Sequence, residues 1–280
     1  MRKSPGLVPN EDILCVGFGW RQQPLRTPST TRVDYACKQG FLPVPAQRAR
    51  QRRMVAMIGW LKRMRLLRCL PAAVVLTAMP PGGARELYLS FDDGPDPQYT
   101  PALLDLLRQH QVRATFFLIG SKAERHPQLV RRMLDEGHRL GNHSWSHPDF
   151  NRLSLAGMMD EIDRTDRVLQ AFDGVLHHGV RPPSGAFSLA LTLRLARERR
   201  RLLYWSYDSL DYQHRPPAEL VAAMRAQPPR PGDVLLMHDD SDCCTRMLET
   251  LLPQWRSEGF EFRPLPTGAD LGATAEGVHA

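Results

Sequence analysis

The sequence predicts an α/β fold whose strands run parallel. From Glu86 onward, short apolar segments alternate with amphipathic helical segments, which is the pattern of consecutive β-α units. Polar and titratable residues cluster directly after several of the apolar segments, where α/β folds place their active sites. Seven segments are predicted as strands: 86–91, 114–119, 139–142, 179–182, 202–207, 233–238 and 260–264. Seven such units predict either a barrel or a broad open sheet.

The segments between the strands carry helix start and stop signals. Thr100 and Pro101 provide a capping residue and a first-turn proline for one helix. Ser154 precedes a second, longer amphipathic run, and Gly137 is expected to end the helix over 128–136. These signals support helices that alternate with the predicted strands.

The net charge of +7 is unevenly distributed along the chain. Residues 1–85 hold 15 of the 37 Lys and Arg residues but only 3 of the 30 Asp and Glu residues, so the remainder carries a net charge of −5. A mildly acidic body gives no support to a surface that binds phosphates, and nucleic acid is not expected as a partner. We therefore predict a basic N-terminal extension over 1–84, a catalytic domain over 85–266 and a C-terminal tail over 267–280.

The order of residues near position 70 bears on localisation. Basic residues over 62–68 precede an apolar run over 70–79, an order found in signal peptides and short anchors, although Pro71 interrupts the run. A buried or surface lead-in segment is an equal alternative. A full transmembrane span is less favoured, because it needs roughly 20 apolar residues. The five cysteines form neither a disulfide framework nor a zinc pattern. Cell envelope, periplasm and cytoplasm all remain open, as do membrane association and the oligomeric state.

Two clusters indicate a metal site. Asp92 and Asp93 follow the first strand and precede Gly94, in a turn that projects both carboxylates. His143 and His147 follow the third strand, and imidazoles four residues apart can reach one ion if the segment curls into a helical turn or a tight loop. Zn²⁺ accepts nitrogen and oxygen ligands, and three protein ligands leave a position for water. The sequence predicts a catalytic divalent metal, with Zn²⁺ expected and Co²⁺ or Ni²⁺ as alternatives.

Three further clusters follow later strands. Arg181 precedes two prolines and can pair with a carboxylate, which would fix its geometry and hold its pKa down. Asp208 and Asp211 follow the fifth strand, and His238 ends the sixth. An aspartate beside a histidine can orient the ring and raise its pKa, which suits proton donation to a leaving amine.

These clusters, in this order, resemble those of the polysaccharide deacetylases of carbohydrate esterase family 4. The resemblance covers about 85–266 and is carried most specifically by LYLSFDDGP at 87–95, ATFFLIG at 114–120 and GNHSWSH at 141–147. It implies an α/β fold, a distorted (β/α) barrel of about seven parallel strands. It also implies metal-dependent hydrolysis of N-acetyl groups on glycans that contain N-acetylglucosamine, such as chitooligosaccharide or peptidoglycan, with release of acetate.

The resemblance assigns a role to each site residue. Asp92 matches the catalytic base, His238 the general acid, and Arg181 and Asp211 the residues that orient these two. Asp93, His143 and His147 match the metal ligands, while Ser184, Tyr212 and Leu236 match positions that contact substrate. Ser184 and Tyr212 depart from the family, which commonly has an aromatic residue and Trp there, so the preferred substrate is open.

Two other functions remain possible from the sequence. An amide hydrolase on the same scaffold could act on a formamido sugar or a non-glycan amide. A glycan-binding pseudoenzyme is the alternative from a different class, but such a protein is expected to lack a ligand or the base, and here the set is complete.

Overall fold

The structure is a computed structural model that describes residues 67, 69–80, 84–213 and 215–266. Most of the predicted N-terminal extension and the whole predicted tail lie outside the described residues, so their boundaries stay predictions. Among the helices of the described part, none is both long enough and apolar enough to cross a membrane.

Eight strands form the framework of the described part of the chain, and all of their strand pairings are parallel. The central strand, β2, pairs with β3 and β7, and the larger sheet has the order β4-β3-β2-β7-β6, with β8 also paired to β2. The strands are β1 Val75–Leu76, β2 Glu86–Asp92, β3 Thr115–Leu118, β4 Arg139–Asn142, β5 Leu202–Leu203, β6 Tyr207–Asp208, β7 Val234–His238 and β8 Glu261–Phe262. The predicted parallel α/β class is confirmed.

The predicted strand at 179–182 is reduced to a single bridging residue. Val180 pairs with Asn142 on one side and with Leu202 on the other, and so joins the two sheets. Pro182 and Pro183 follow Arg181 and have no backbone N–H to donate to a neighbouring strand, which explains why no longer strand forms. The predicted strand at 202–207 is likewise divided into β5 and β6. Such interrupted strands are consistent with the distortion predicted for the barrel.

Part of the apolar run at 70–79 lies inside the fold. Val75 and Leu76 form β1 beside β5 and are buried in the core. The next residues continue the pairing, because Ala78 bridges Asp233 and the Met79 N–H donates to Gly232 O just before β7. β1 therefore precedes the domain boundary predicted at Arg85, and the structure places this run as a lead-in to the fold.

Between residues 84 and 266, seven α-helices connect and cover the strands. They are α1 Thr100–Gln109, α2 Gly120–Arg125, α3 Pro127–Asp135, α4 Leu155–Asp173, α5 Leu189–Arg197, α6 Pro217–Ala226 and α7 Cys243–Ser257. Ser154 caps α4 by accepting a hydrogen bond from the Gly157 N–H, as predicted. Gly137 follows α3 with φ of 82°, in agreement with the predicted stop.

One predicted cap is wrong. Thr100 is the first residue of α1, and Tyr99 occupies the cap position without a side-chain hydrogen bond. The Thr100 hydroxyl instead accepts from the Asp96 N–H and donates to Asp239, 139 residues further along the chain. A partner this distant overrides the local capping preference.

Two buried apolar clusters hold the layers together. Because successive residues of a strand point to opposite faces, Leu87, Leu89 and Phe91 of β2 enter one cluster with α1 and α7, while Tyr88 enters the other. The strands are apolar on both faces, which is typical of parallel strands covered by helices. Most polar exceptions, including Ser90, Asp92 and Asn142, lie at or near the carboxyl ends of strands, whereas Thr115 begins β3.

Candidate active site

The predicted site residues meet at the carboxyl ends of neighbouring strands. Asp92 is the last residue of β2 and stands in register with His238, the last residue of β7. β4 ends at Asn142, directly before His143, and the bridge at Val180 brings Arg181 beside it. The parallel topology places these ends on one edge, so residues up to 146 positions apart in the chain share one site.

Asp93, His143 and His147 form the group that can hold a metal ion. One ligand atom of each lies within 4.8 Å of the others. The Nε2 atoms of both histidines are 3.4 Å from Asp93 Oδ1. The structure thus brings together the three ligands predicted from the sequence.

The chemistry of this group fits a cation. Asp93 Oδ1 is buried and accepts no hydrogen bond from any described residue. A buried carboxylate oxygen without a donor is costly unless something else compensates its charge, and a metal ion would do so. Burial raises the pKa of Asp93, but the imidazoles of His143 and His147 outweigh this effect, so the pKa lies well below its usual range. Burial and His143 lower the pKa of His147, which favours the neutral, ligating form.

Hydrogen bonds fix the conformation of the loop over 143–147, which carries both histidines of the metal group. His143 Nδ1 lies 2.7 Å from Arg181 O, so that nitrogen donates to the carbonyl and Nε2 remains for a metal. Ser144 and His147 have φ of 68° and 55°, so the segment is a tight loop with left-handed residues. Asn142 Oδ1 accepts from the Ser144 N–H, and Ser144 Oγ accepts from the His147 N–H. These contacts hold a conformation that residues with side chains adopt only under constraint.

Arg181 is fully buried and fixes Asp92. Its Nη1 donates to Asp92 Oδ1 at 2.6 Å and to Ser90 Oγ at 2.9 Å. Its Nε and Nη2 donate to the carbonyls of Leu203 and Tyr204. Every side of the guanidinium fork is therefore bonded, and the charge of Asp92 is compensated inside the protein. The predicted pairing of Arg181 with a carboxylate is present in the structure.

His238 and Asp211 form a second charged pair. Asp211 Oδ1 accepts from His238 Nδ1 at 2.8 Å, and Asp211 Oδ2 accepts from the His238 backbone N–H at 2.7 Å. Burial lowers the pKa of His238, but the hydrogen bond and charge of Asp211, with the charges of Asp92 and Asp93, raise it to about 9. His238 is therefore largely protonated at neutral pH, with Nε2 as its free ring nitrogen.

The three predicted substrate-contacting residues differ in accessibility. Tyr212 is 46% exposed, and its ring packs edge-on against His238 at 5.5 Å between centroids. Ser184 is exposed in a left-handed conformation with φ of 52°. Leu236 lies within β7 and is 4% exposed, so most of its side chain belongs to the core. Of the three, Tyr212 is the one that is both exposed and in contact with His238.

A family model described as polysaccharide deacetylase matches residues 80–199. A chitooligosaccharide deacetylase from Bradyrhizobium sp. (strain ANU 289) is 36% identical over 199 residues, which cover 66% of this chain and 90% of that relative. The chain belongs to the polysaccharide deacetylase family. Deacetylases of this family are metal-dependent, in agreement with the Asp93, His143 and His147 group.

Two peptidoglycan deacetylases extend this comparison. A peptidoglycan-N-acetylglucosamine deacetylase from Listeria monocytogenes is 34% identical over 196 residues, and the match covers 70% of this chain but 41% of that protein. A crystal structure of another peptidoglycan N-acetylglucosamine deacetylase has a TM-score of 0.65 and 31% identity, covering 69% of this chain and 91% of the other. The polysaccharide deacetylase fold thus accounts for the catalytic part of the chain.

Sequence reasoning missed four residues that support this deacetylase site. Ser90 could have been found, because residues two apart in a strand share a face, and Ser90 is two before Asp92. Asp239, Thr100 and Lys122 carried no comparable signal. Asp239 is 1% exposed beneath the Asp92-Asp93 turn, and burial raises its pKa to about 7. Lys122 donates to Asp93 O from α2.

Proposed function

We propose that this chain hydrolyses N-acetyl groups on glycans that contain N-acetylglucosamine, releasing acetate and a free amine. One observation carries the proposal: a buried base, a metal-ligand group and a protonated histidine converge at one edge of the sheet. Amide hydrolysis needs an activated water, stabilisation of the oxyanion and a proton for the leaving nitrogen. The three parts of the site supply these three needs.

The ligand set supports a divalent ion, which we propose is Zn²⁺. Two imidazole nitrogens and one carboxylate oxygen suit Zn²⁺, with Co²⁺ and Ni²⁺ as alternatives, and leave coordination positions for water and substrate. When bound, such an ion polarises the acetamide carbonyl and lowers the pKa of water. Asp93, His143 and His147 would hold it.

Asp92 is proposed as the general base. Arg181 holds Asp92 Oδ1, which leaves Oδ2 as the oxygen that faces the metal group, 3.8 Å from His143 Nε2. Oδ2 can accept a proton from the attacking water as the water oxygen bonds to the carbonyl carbon. The buried guanidinium keeps the carboxylate oriented throughout this step.

His238 is proposed as the general acid. Its Nδ1 is committed to Asp211, so the proton for the substrate must leave from Nε2. Transfer of this proton to the amide nitrogen allows the carbon–nitrogen bond to break, which yields acetate and the amine. Asp211 stabilises the protonated ring before the transfer and keeps the ring oriented during it.

The Ser184 backbone N–H is proposed as an oxyanion donor, and Tyr212 as part of the glycan-binding surface. Ser184 follows the two prolines after Arg181, whose fixed φ angles stiffen the loop. Tyr212 stands beside the general acid and offers an aromatic face to a sugar ring. Replacement of the family's usual aromatic residue and Trp at these positions leaves room for a different amide substrate.

The test is acetate release from N-acetylated chitooligosaccharides and peptidoglycan fragments. The protein is stripped of metal, assayed, and assayed again after reloading with Zn²⁺ or Co²⁺, and Asp92→Asn serves as the matched inactive control. We expect acetate only from the reloaded wild-type protein. Stoichiometric metal binding without acetate release from any N-acetylglucosamine oligomer would favour another amide substrate, and an active Asp92→Asn variant would refute the assignment of the base.

A further inference from the structure

The turn formed by Asp92, Asp93 and Gly94, here called the ligand turn, has an unusual backbone. Asp93 has φ of 75°, in the left-handed region that residues with a side chain rarely adopt. This conformation costs free energy and persists only where the surroundings enforce it. Because Asp93 is the single carboxylate of the metal group, whatever enforces its backbone also places a ligand.

Each of the three carbonyls of the ligand turn accepts a hydrogen bond. Asp92 O accepts from the Asp239 N–H at 3.3 Å, and Gly94 O accepts from the Ile119 N–H at 2.9 Å. Asp93 O accepts from Lys122 Nζ at 2.7 Å. The first and last donors are backbone groups, so their contribution does not depend on side-chain identity. The middle bond, on the left-handed residue itself, depends on one side chain.

The ligand turn also packs closely against a second side chain, that of Asp239. A Cβ added at Gly94 would clash with Asp239 Oδ2, so the backbone rests directly on that carboxyl group. Asp239 is 1% exposed, and Thr100 Oγ1 donates to its Oδ2 at 2.6 Å. The ligand turn is therefore in contact with both the Asp239 carboxyl group and the Lys122 ammonium group.

We propose that Lys122 is a positioning residue for the metal site: its ammonium group holds Asp93 in the left-handed conformation that places the carboxylate beside His143 and His147. This inference rests on the proposed metal-dependent function. It concerns the backbone hydrogen bond of Lys122, and it assigns Lys122 no contact with the substrate or the ion.

The sign of the effect separates this role from electrostatics. A positive side chain near a cation site repels the cation, so removal of the Lys122 charge would by itself tighten metal binding. The direct effect of the lost charge therefore predicts tighter binding, whereas a positioning role predicts weaker binding.

The experiment measures the Zn²⁺ affinity of the full chain by competition with a chromophoric chelator, without substrate. Lys122→Met removes the ammonium group and keeps most of the apolar stem, while Lys122→Arg keeps the charge and a donor. Arg125→Met is the matched control, because Arg125 is exposed on the same helix and bonds to Ser121 O. Thermal unfolding of the metal-free proteins is followed in parallel.

We expect Lys122→Met to weaken Zn²⁺ binding about 10–100-fold, as is typical when a residue that orients a metal ligand is lost. Lys122→Arg should retain most of the affinity, and Arg125→Met should equal the wild type. Equal or tighter binding by Lys122→Met would overturn the positioning role, as would equal weakening by Arg125→Met. A wild type that binds Zn²⁺ but releases no acetate would instead count against the proposed function, and the effect of Lys122 would still be measurable.

Discussion

Replacement of Asp211 by Asn tests whether the Asp211–His238 pair supplies the general acid. Asp211 accepts from both the ring and the backbone N–H of His238, one at each oxygen. An amide has one accepting oxygen, so one of these donors loses its partner and faces an NH₂ group instead. The charge that favours the imidazolium is also lost. Both changes lower the pKa of His238.

The magnitude follows from the pKa of about 9 in the intact pair. At pH 8 such a group is about 90% protonated, whereas a histidine at its ordinary pKa of about 6.5 is about 3% protonated. Loss of protonation alone therefore predicts about a 30-fold lower rate at pH 8 but less than a 2-fold change at pH 6. A bound cation opposes the contributions of Asp92 and Asp93 in both proteins, so the difference between them isolates Asp211.

The assay is kcat/KM for acetate release from a chitooligosaccharide between pH 5 and pH 10. Because the acid must be protonated, activity falls as the pH rises through its pKa, and the alkaline limb should move to lower pH in Asp211→Asn. Asp208→Asn is the control, since Asp208 is a neighbouring half-buried acid that accepts hydrogen bonds from the Leu210 N–H and the Tyr212 hydroxyl. An alkaline limb in Asp211→Asn that coincides with the wild type would refute the reasoning.

Three further predictions follow from the same geometry. Asp92→Asn should lower kcat by about 10²–10⁴-fold while Zn²⁺ affinity in a chelator competition stays near that of the wild type, and equal losses in both would place Asp92 among the ligands. Arg181→Met should lower the free energy of unfolding by about 3–5 kcal/mol in denaturant titrations, because it leaves Asp92 buried and unpaired; a change under about 1 kcal/mol would contradict this. Tyr212→Trp should lower KM for chitooligosaccharides more than it changes kcat, and an unchanged KM would remove Tyr212 from the binding surface.

The sequence predicted most of the site because parallel topology turns chain order into proximity. Once β2, β4 and β7 are recognised as strands, the residues that follow them must meet at one edge. Asp92, His143 and His238 were therefore predictable from position. The short strands were harder, because β5 and β6 have two residues each and Val180 forms only bridges. Their pairing depends on strands that are distant in the chain, so local sequence patterns do not predict it.

The supports of the site were less predictable than its reacting groups. Thr100 has a sequence context that favours a helix cap, but it bonds instead to Asp239 on a strand-end loop. Val75 and Leu76 belong to an apolar run with the order of a targeting segment, but they form a core strand. In each case a tertiary contact outweighs a local preference, since burial and a buried hydrogen bond contribute more than capping or composition alone.

Arg181 links the base to the metal group more closely than any other residue described here. Its side chain holds Asp92 Oδ1, and its backbone oxygen holds His143 Nδ1. A shift of this one residue therefore moves the proposed base and a proposed ligand together. His238 lies at the end of β7, which pairs with β2, and Asp211 orients it without any contribution from Arg181. The two halves of the reaction thus have independent supports: changes around Arg181 should affect metal binding and water activation together, while changes around Asp211 should affect proton donation alone.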